Sequence, residues 1–135
     1  FSANAKSCAN NIQRSIGDCK VTTMGKADAY MELFRESDGT VYTQMHVTES
    51  DGTVTDEERQ KVGTNKVYVG YEADGDTKTS LEAGDKIVIR FDRSSGGFRP
   101  DAGGVIYKNI YVEGGSKKYR IEMIPLTGKS QVIVE

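Results

Sequence analysis

DAYMELFRESDGTVYTQMHV, residues 28–47, decides how the rest of the chain is read. Apolar Ala29, Met31 and Leu33 alternate with Tyr30, Glu32 and Phe34, and beyond Ser37, Asp38 and Gly39 the same period of two returns in Val41, Thr43, Met45 and Val47. Successive residues of an extended chain point to opposite faces, so each half is a strand with one side toward a core, joined by turn-forming residues. A β-hairpin is the simplest reading.

Upstream the period changes. ANAKSCANNIQRSIGDCKVTTM, residues 3–24, places Ala5, Ala9, Ile12, Ile16, Cys19 and Thr23 three or four residues apart, with Lys6, Asn10, Gln13, Arg14 and Lys20 mostly off that stripe. This predicts a helix whose core-facing side is Ala5, Ala9, Ile12, Ile16 and Cys19. Its interior Gly17 weakens it by about 1 kcal/mol relative to alanine, so packing must hold it, and Gly25 is a natural stop.

Downstream, the acidic stretch from Glu49 to Lys61 reads as an exposed loop with a short helical turn at Asp56–Gln60. Alternation returns in Val67, Val69 and Tyr71, in Ile87, Ile89 and Phe91, and in the segments 104–113, 117–124 and 129–135, the last two joined by the turn Pro125-Leu126-Thr127-Gly128. About seven strands after one helix predict an α+β fold, with the N-terminal helix packed on an antiparallel β-sheet. Residues 1–26 form the helix and 27–135 an antiparallel β-rich globular head.

A chain of 135 residues supports one domain. Its net charge of −2 conceals an asymmetry: residues 27–85 carry 14 acidic and 5 basic side chains, residues 86–129 carry 9 basic and 4 acidic. Kept apart in space, the two regions would favour head-to-tail contacts between copies. Basic residues form no compact cluster beyond Lys117, Lys118 and Arg120, so no nucleic-acid partner is expected. No apolar run reaches the roughly twenty residues a bilayer requires. Phe1 opens the chain without a methionine, which implies a processed protein or a fragment.

Catalytic and metal-binding constellations are weak. Gly52, Val54 and Glu58 align with parts of a calcium loop, but its first ligand would be Val47, and a solvated turn explains the segment better. His46 is the sole histidine and is read as exposed, pointing away from the Val41/Val47 side of its strand. Cys8 and Cys19 both fall on the helical stripe, about 16 Å apart at 1.5 Å per residue, too far for a disulfide within the chain. Two cysteines and one histidine cannot supply a four-ligand zinc set. Asp56, Glu57 and Glu58 lie in a hydrophilic run rather than a cleft that would tune them for proton transfer. The glycines of IVIRFDRSSGGFRP, residues 87–100, follow a strand but lead into no helix, so they lack the helix-terminal donors of a phosphate cradle. No cofactor or metal is expected, and no enzyme.

Taken in order, NAKSCANNIQRSIGDCKVTTMGKADAYMELF at residues 4–34 and IVIRFDRSSGGF, GGVIYKNIYV and KKYRIEMIPLTGKSQVIVE at residues 87–135 resemble the globular domain of type IV pilins and type II secretion pseudopilins, in particular the GspH/FimT-like minor branch. Matching positions are Phe91 with Gly96 and Gly97, Ile121 to Ile124, and Thr127, Gly128 and Lys129 before Val132 and Val134. The resemblance implies that residues 1–26 are the C-terminal half of a pilin-type helix, whose hydrophobic first half anchors the precursor in the membrane and packs into a filament after leader cleavage and N-methylation. It implies a structural subunit of a pilus or pseudopilus, at the bacterial cell surface or anchored to the inner membrane, with other pilin or pseudopilin subunits as partners. The C-terminal disulfide common in that family has no counterpart here. Lys6 and Arg14 on the helix, with Glu49, Asp51, Glu57 and Glu58 in the acidic stretch, are the candidate subunit contacts. The alternative is a secreted non-enzymatic β-rich domain that binds glycan or protein through its loops.

Overall fold

The computed structural model describes residues 2–25, 27–75 and 77–135; Phe1, Asp76 and Lys26, where the expected junction of helix and head falls, lie outside the described residues. The small and branched residues of the stripe build helix α1, Ser2–Gly25, in which Ala5, Cys8, Ala9, Ile12, Ile16, Cys19 and Thr23 are fully buried. Small side chains let the backbone approach closely: a Cβ added at Gly63 would lie 3.1 Å from the Cys8 sulfur.

Eleven strands follow among the described residues: β1 Asp28–Arg35, β2 Val41–Thr48, β3 Val54–Asp56, β4 Gln60–Gly63, β5 Tyr68–Ala73, β6 Thr79–Ser80, β7 Lys86–Phe91, β8 Phe98–Arg99, β9 Tyr107–Gly114, β10 Lys117–Ile124 and β11 Lys129–Val134. They form two antiparallel sheets. Sheet A runs β3-β2-β1-β7-β8, with β4 also paired to β2; sheet B runs β11-β10-β9-β5-β6. The expected hairpin is β1 and β2, in a register that sets Ala29 opposite Val47 and Leu33 opposite Thr43.

The α+β, pilin-like layout of one helix on an antiparallel sheet is corrected by this topology. The fold is β-rich, with two sheets and a single helix among the described residues. The physical reason is that consecutive strands part company. Strand β5 joins β9 through Val69↔Val112, whereas β7, the next long strand, joins β1 through Met31↔Ile89. The helix touches strands of both sheets, and one contiguous core runs from Ile12 and Ile16 through Met31, Leu33 and Phe91 to Ile110, Ile121 and Met123.

The helical turn expected at Asp56–Gln60 is also corrected: Asp56 ends strand β3, Gln60 begins β4, and both strands pair with β2. Every residue from 49 to 61 is exposed, so the alternation that marks a half-buried strand has nothing to act on.

The glycine pair after β7 has a packing role. Asp92 accepts hydrogen bonds from the Ser94 hydroxyl at 2.7 Å and the Ser95 amide at 2.8 Å, which closes the turn, and Gly96 follows at φ +78°. The turn then presses on the β10–β11 connection: the Phe98 amide donates to the Pro125 carbonyl at 2.8 Å, and a Cβ at Gly97 would lie 2.8 Å from that same oxygen. Lys20 of α1 reaches the Thr127 carbonyl at 2.8 Å, tying the helix end to this junction.

Candidate assembly surfaces

The outer face of sheet A carries the densest polar chemistry. The hairpin register places Tyr30 opposite His46, Glu32 opposite Gln44 and Phe34 opposite Tyr42. Tyr30 stacks on the His46 ring at 4.7 Å, Phe34 stacks on Tyr42 at 5.7 Å, and the Arg59 guanidinium lies 4.2 Å over Tyr42 while bonding Glu36 at 2.9 Å. Lys86 of β7 pairs with Glu32 at 3.0 Å.

The expectation of an exposed His46 is corrected. It points away from the Val47 side, yet it is only 8% exposed, because Tyr30 covers one ring face and a carboxylate meets each ring nitrogen. Nε2 lies 2.6 Å from Glu32 and Nδ1 lies 2.6 Å from Asp56. The protonated ring can donate to both at once, the neutral ring to one. Burial pushes the Glu32 carboxyl up, but the bonds from Lys86 and His46 outweigh it and hold the group below the ordinary carboxylate range. With both nitrogens engaged, this constellation serves as a clasp holding edge strand β3 to β1 and β2, and leaves no free imidazole nitrogen to attack or deprotonate a substrate.

The candidate contact residues fall into separate groups. Lys6 and Arg14 are exposed on α1. Arg14 shares a groove of about 300 Å³ with Glu57 and Glu58, between the helix and the segment joining β3 to β4. Glu49 and Asp51 sit at the exposed β2–β3 turn, where the Asp51 carboxylate accepts from the Thr53 amide at 2.9 Å. Ala5, Ala9, Ile12, Ile16 and Cys19 lie in the core.

Sequence reasoning missed a second surface. Val21, Met24, Ile124 and Leu126 are exposed apolar side chains near the end of α1 and the β10–β11 turn. The available signal was that Val21 and Met24 are apolar but stand off the helix stripe.

On sheet B the outer polar groups are largely satisfied by one another. Glu72 accepts from Asn109 and Tyr111, and Arg120 donates to Asn109 and Glu135. Among the described residues no group of three or more His, Cys, Asp or Glu side chains is placed to hold a metal, and no helix is long and apolar enough to cross a membrane. No family model matches the chain, nor does a curated protein or a solved structure.

Proposed function

We propose that the chain is a non-enzymatic structural subunit, a minor pilin or pseudopilin, of a type IV pilus or a type II secretion pseudopilus. The observation that carries this reading is the helix. It is 24 residues long, one stripe is fully buried against two sheets, and the opposite side leaves Lys6, Asn10 and Arg14 exposed. A helix riveted to its head along one side can carry load from an upstream segment into the head, while its other side meets neighbouring subunits. The resemblance of residues 4–34 and 87–135 supports the same reading; the head's β-rich architecture is not part of its support.

The outer face of sheet A favours a second reading, a secreted glycan- or protein-binding domain. Stacked Tyr30–His46 and Phe34–Tyr42, with Arg59 beside them, supply the aromatic and guanidinium groups that recognition surfaces favour. Mass spectrometry of the mature N-terminus, on protein captured from native membrane and sheared-surface fractions, separates the two. An N-methylated residue opening an apolar helix that runs into Phe1 is the expected result. A conventional signal-peptidase terminus without that helix overturns the filament reading and leaves the binding domain.

A further inference from the structure

A groove of about 510 Å³ lies between α1 and edge strand β11. Gly17, Val21 and Met24 from the helix and Ile124 from the end of β10 line it, with Lys20 and Lys129 among the same lining residues and no carboxylate. Leu126, in the β10–β11 turn, is 89% exposed, and Val21 is 73% exposed. The apolar floor suits an apolar side chain, and the cations at its edge suit flanking carboxylates.

Gly17 sharpens the point. Glycine is among the poorest helix formers, and it is usually found inside a helix where something packs too closely for a side chain. Here a Cβ would meet no atom within 4 Å. Nothing within the chain requires glycine at this place, and its lack of a side chain deepens the groove.

The complementary feature is the β2–β3 arm. Residues 47–58, VTESDGTVTDEE, hold five acidic side chains and no basic one, and Val54 at the start of β3 is 51% exposed. Strand β3, with β4 beside it on β2, lies at the edge of sheet A opposite β8. Three strand spacings of about 4.8 Å separate β3 from β7, so the arm and the groove are distinct surfaces of the chain.

We infer that the groove between α1 and β11 receives the acidic β2–β3 arm of a second copy of this chain, with Val54 against Val21 and Met24 and Glu49 and Asp51 facing Lys20 and Lys129. The contact joins two different surfaces of the chain, so it closes as a two-fold dimer where both groove–arm pairs meet at once and otherwise propagates from copy to copy. This rests on the reading of the chain as an assembling subunit, and the two fail separately: the terminus measurement concerns anchorage, whereas association of the head concerns these two surfaces.

Sedimentation equilibrium of the 135-residue chain, from about 10 µM to about 1 mM, covers the range of weak interfaces. The expected result is concentration-dependent association that weakens as salt rises. Val21→Asp blocks the groove and Val54→Asp blocks the arm; each is expected to weaken association about tenfold or more, with an unchanged circular dichroism spectrum. An equimolar mixture of the two is expected to form a dimer and nothing larger, since the arm of one fits the intact groove of the other. Met24→Glu and Gly17→Leu serve as independent groove variants should Val21→Asp disturb the fold. A wild-type chain that remains monomeric, a Val54→Asp chain that associates like wild type, or a mixture that stays monomeric overturns the inference.

Discussion

Gly128 stands so close to the carbonyl of Gly96 that a Cβ at position 128 would overlap that oxygen, and Gly128 itself adopts φ +70°. The β7–β8 turn and the β10–β11 turn therefore meet backbone to backbone. Gly104 shares the positive φ, at +80°, but a Cβ there would meet nothing within 4 Å. Gly104→Ala is expected to lower stability by about 1 kcal/mol, the left-handed backbone term alone, and Gly128→Ala by about 3 kcal/mol, since the overlap involves main chain that cannot step aside. Gly17→Ala goes the other way, raising stability by up to about 1 kcal/mol. Urea unfolding of the three variants checks the order; equal losses at 104 and 128 would remove the close approach from the account.

The His46 clasp gives a second test. His46→Ala removes the bonds to Glu32 and Asp56 and leaves a half-buried carboxylate with only Lys86 as a partner. The expected loss is about 1–3 kcal/mol, the range for breaking a hydrogen bond to a charged group. Asp56→Asn is expected to lose less than Glu32→Gln, because the Asp56 side chain is largely exposed and Glu32 is not. Amide exchange at residues 54–56 distinguishes a clasp from a generic packing loss. It should rise in His46→Ala well before exchange in β1 does, and uniform acceleration across sheet A would contradict the clasp.

Acid should weaken the fold in part through a defined set of carboxyls, of which Asp38, Asp51 and Asp92 lie at the surface and each contribute little. The Ser94 hydroxyl and Ser95 amide hold Asp92 down to about 2. The Thr40 amide lowers Asp38, the Thr53 amide lowers Asp51, and Glu32 is lowered by Lys86 and His46 against the opposing effect of burial. Because each group is more acidic folded than unfolded, its contribution is fully present above the unfolded carboxylate range near pH 4. That contribution is lost as pH falls through the folded value, so the urea midpoint should decline from about pH 4 toward pH 2. Asp92→Asn is expected to flatten the decline and to loosen the 92–97 turn. An unchanged slope in that variant would mean that other groups govern acid unfolding.

What could be read from the chain depended on how far apart the cooperating residues lie. The helix stripe and the β1–β2 hairpin are local patterns, and Ala5, Ile12, Met31 and Leu33 are buried where periodicity placed them. Alternation fixes which side of a strand is apolar but not which sheet it joins. Val69 of β5 and Ile89 of β7 carry the same pattern, yet their strands enter different sheets through partners at Val112 and Met31. Strand β3 has no buried residue to mark it. His46 is buried by Glu32, fourteen residues before it, and Asp56, ten residues after, and no pattern confined to its own strand contains them.

The two cysteines supply a probe of global unfolding. Burial pushes both thiols up to about 12; the Arg35 charge partly opposes this at Cys8, and a bond with Thr23 partly opposes it at Cys19. Both are free and fully buried on α1, beneath strands of two sheets. Neither the thiolate nor access is available in the folded chain at neutral pH, and the thiolate is the reactive form. Ellman's reagent is therefore expected to be consumed by both thiols in denaturant and by neither in the native protein on the same timescale. Because the helix covers both sheets, the two should become reactive together, at a rate that follows unfolding when denaturant is raised. Prompt native reaction of Cys19 alone would show that the C-terminal half of α1 opens independently of the core, and would remove the helix as a rigid connection to the head.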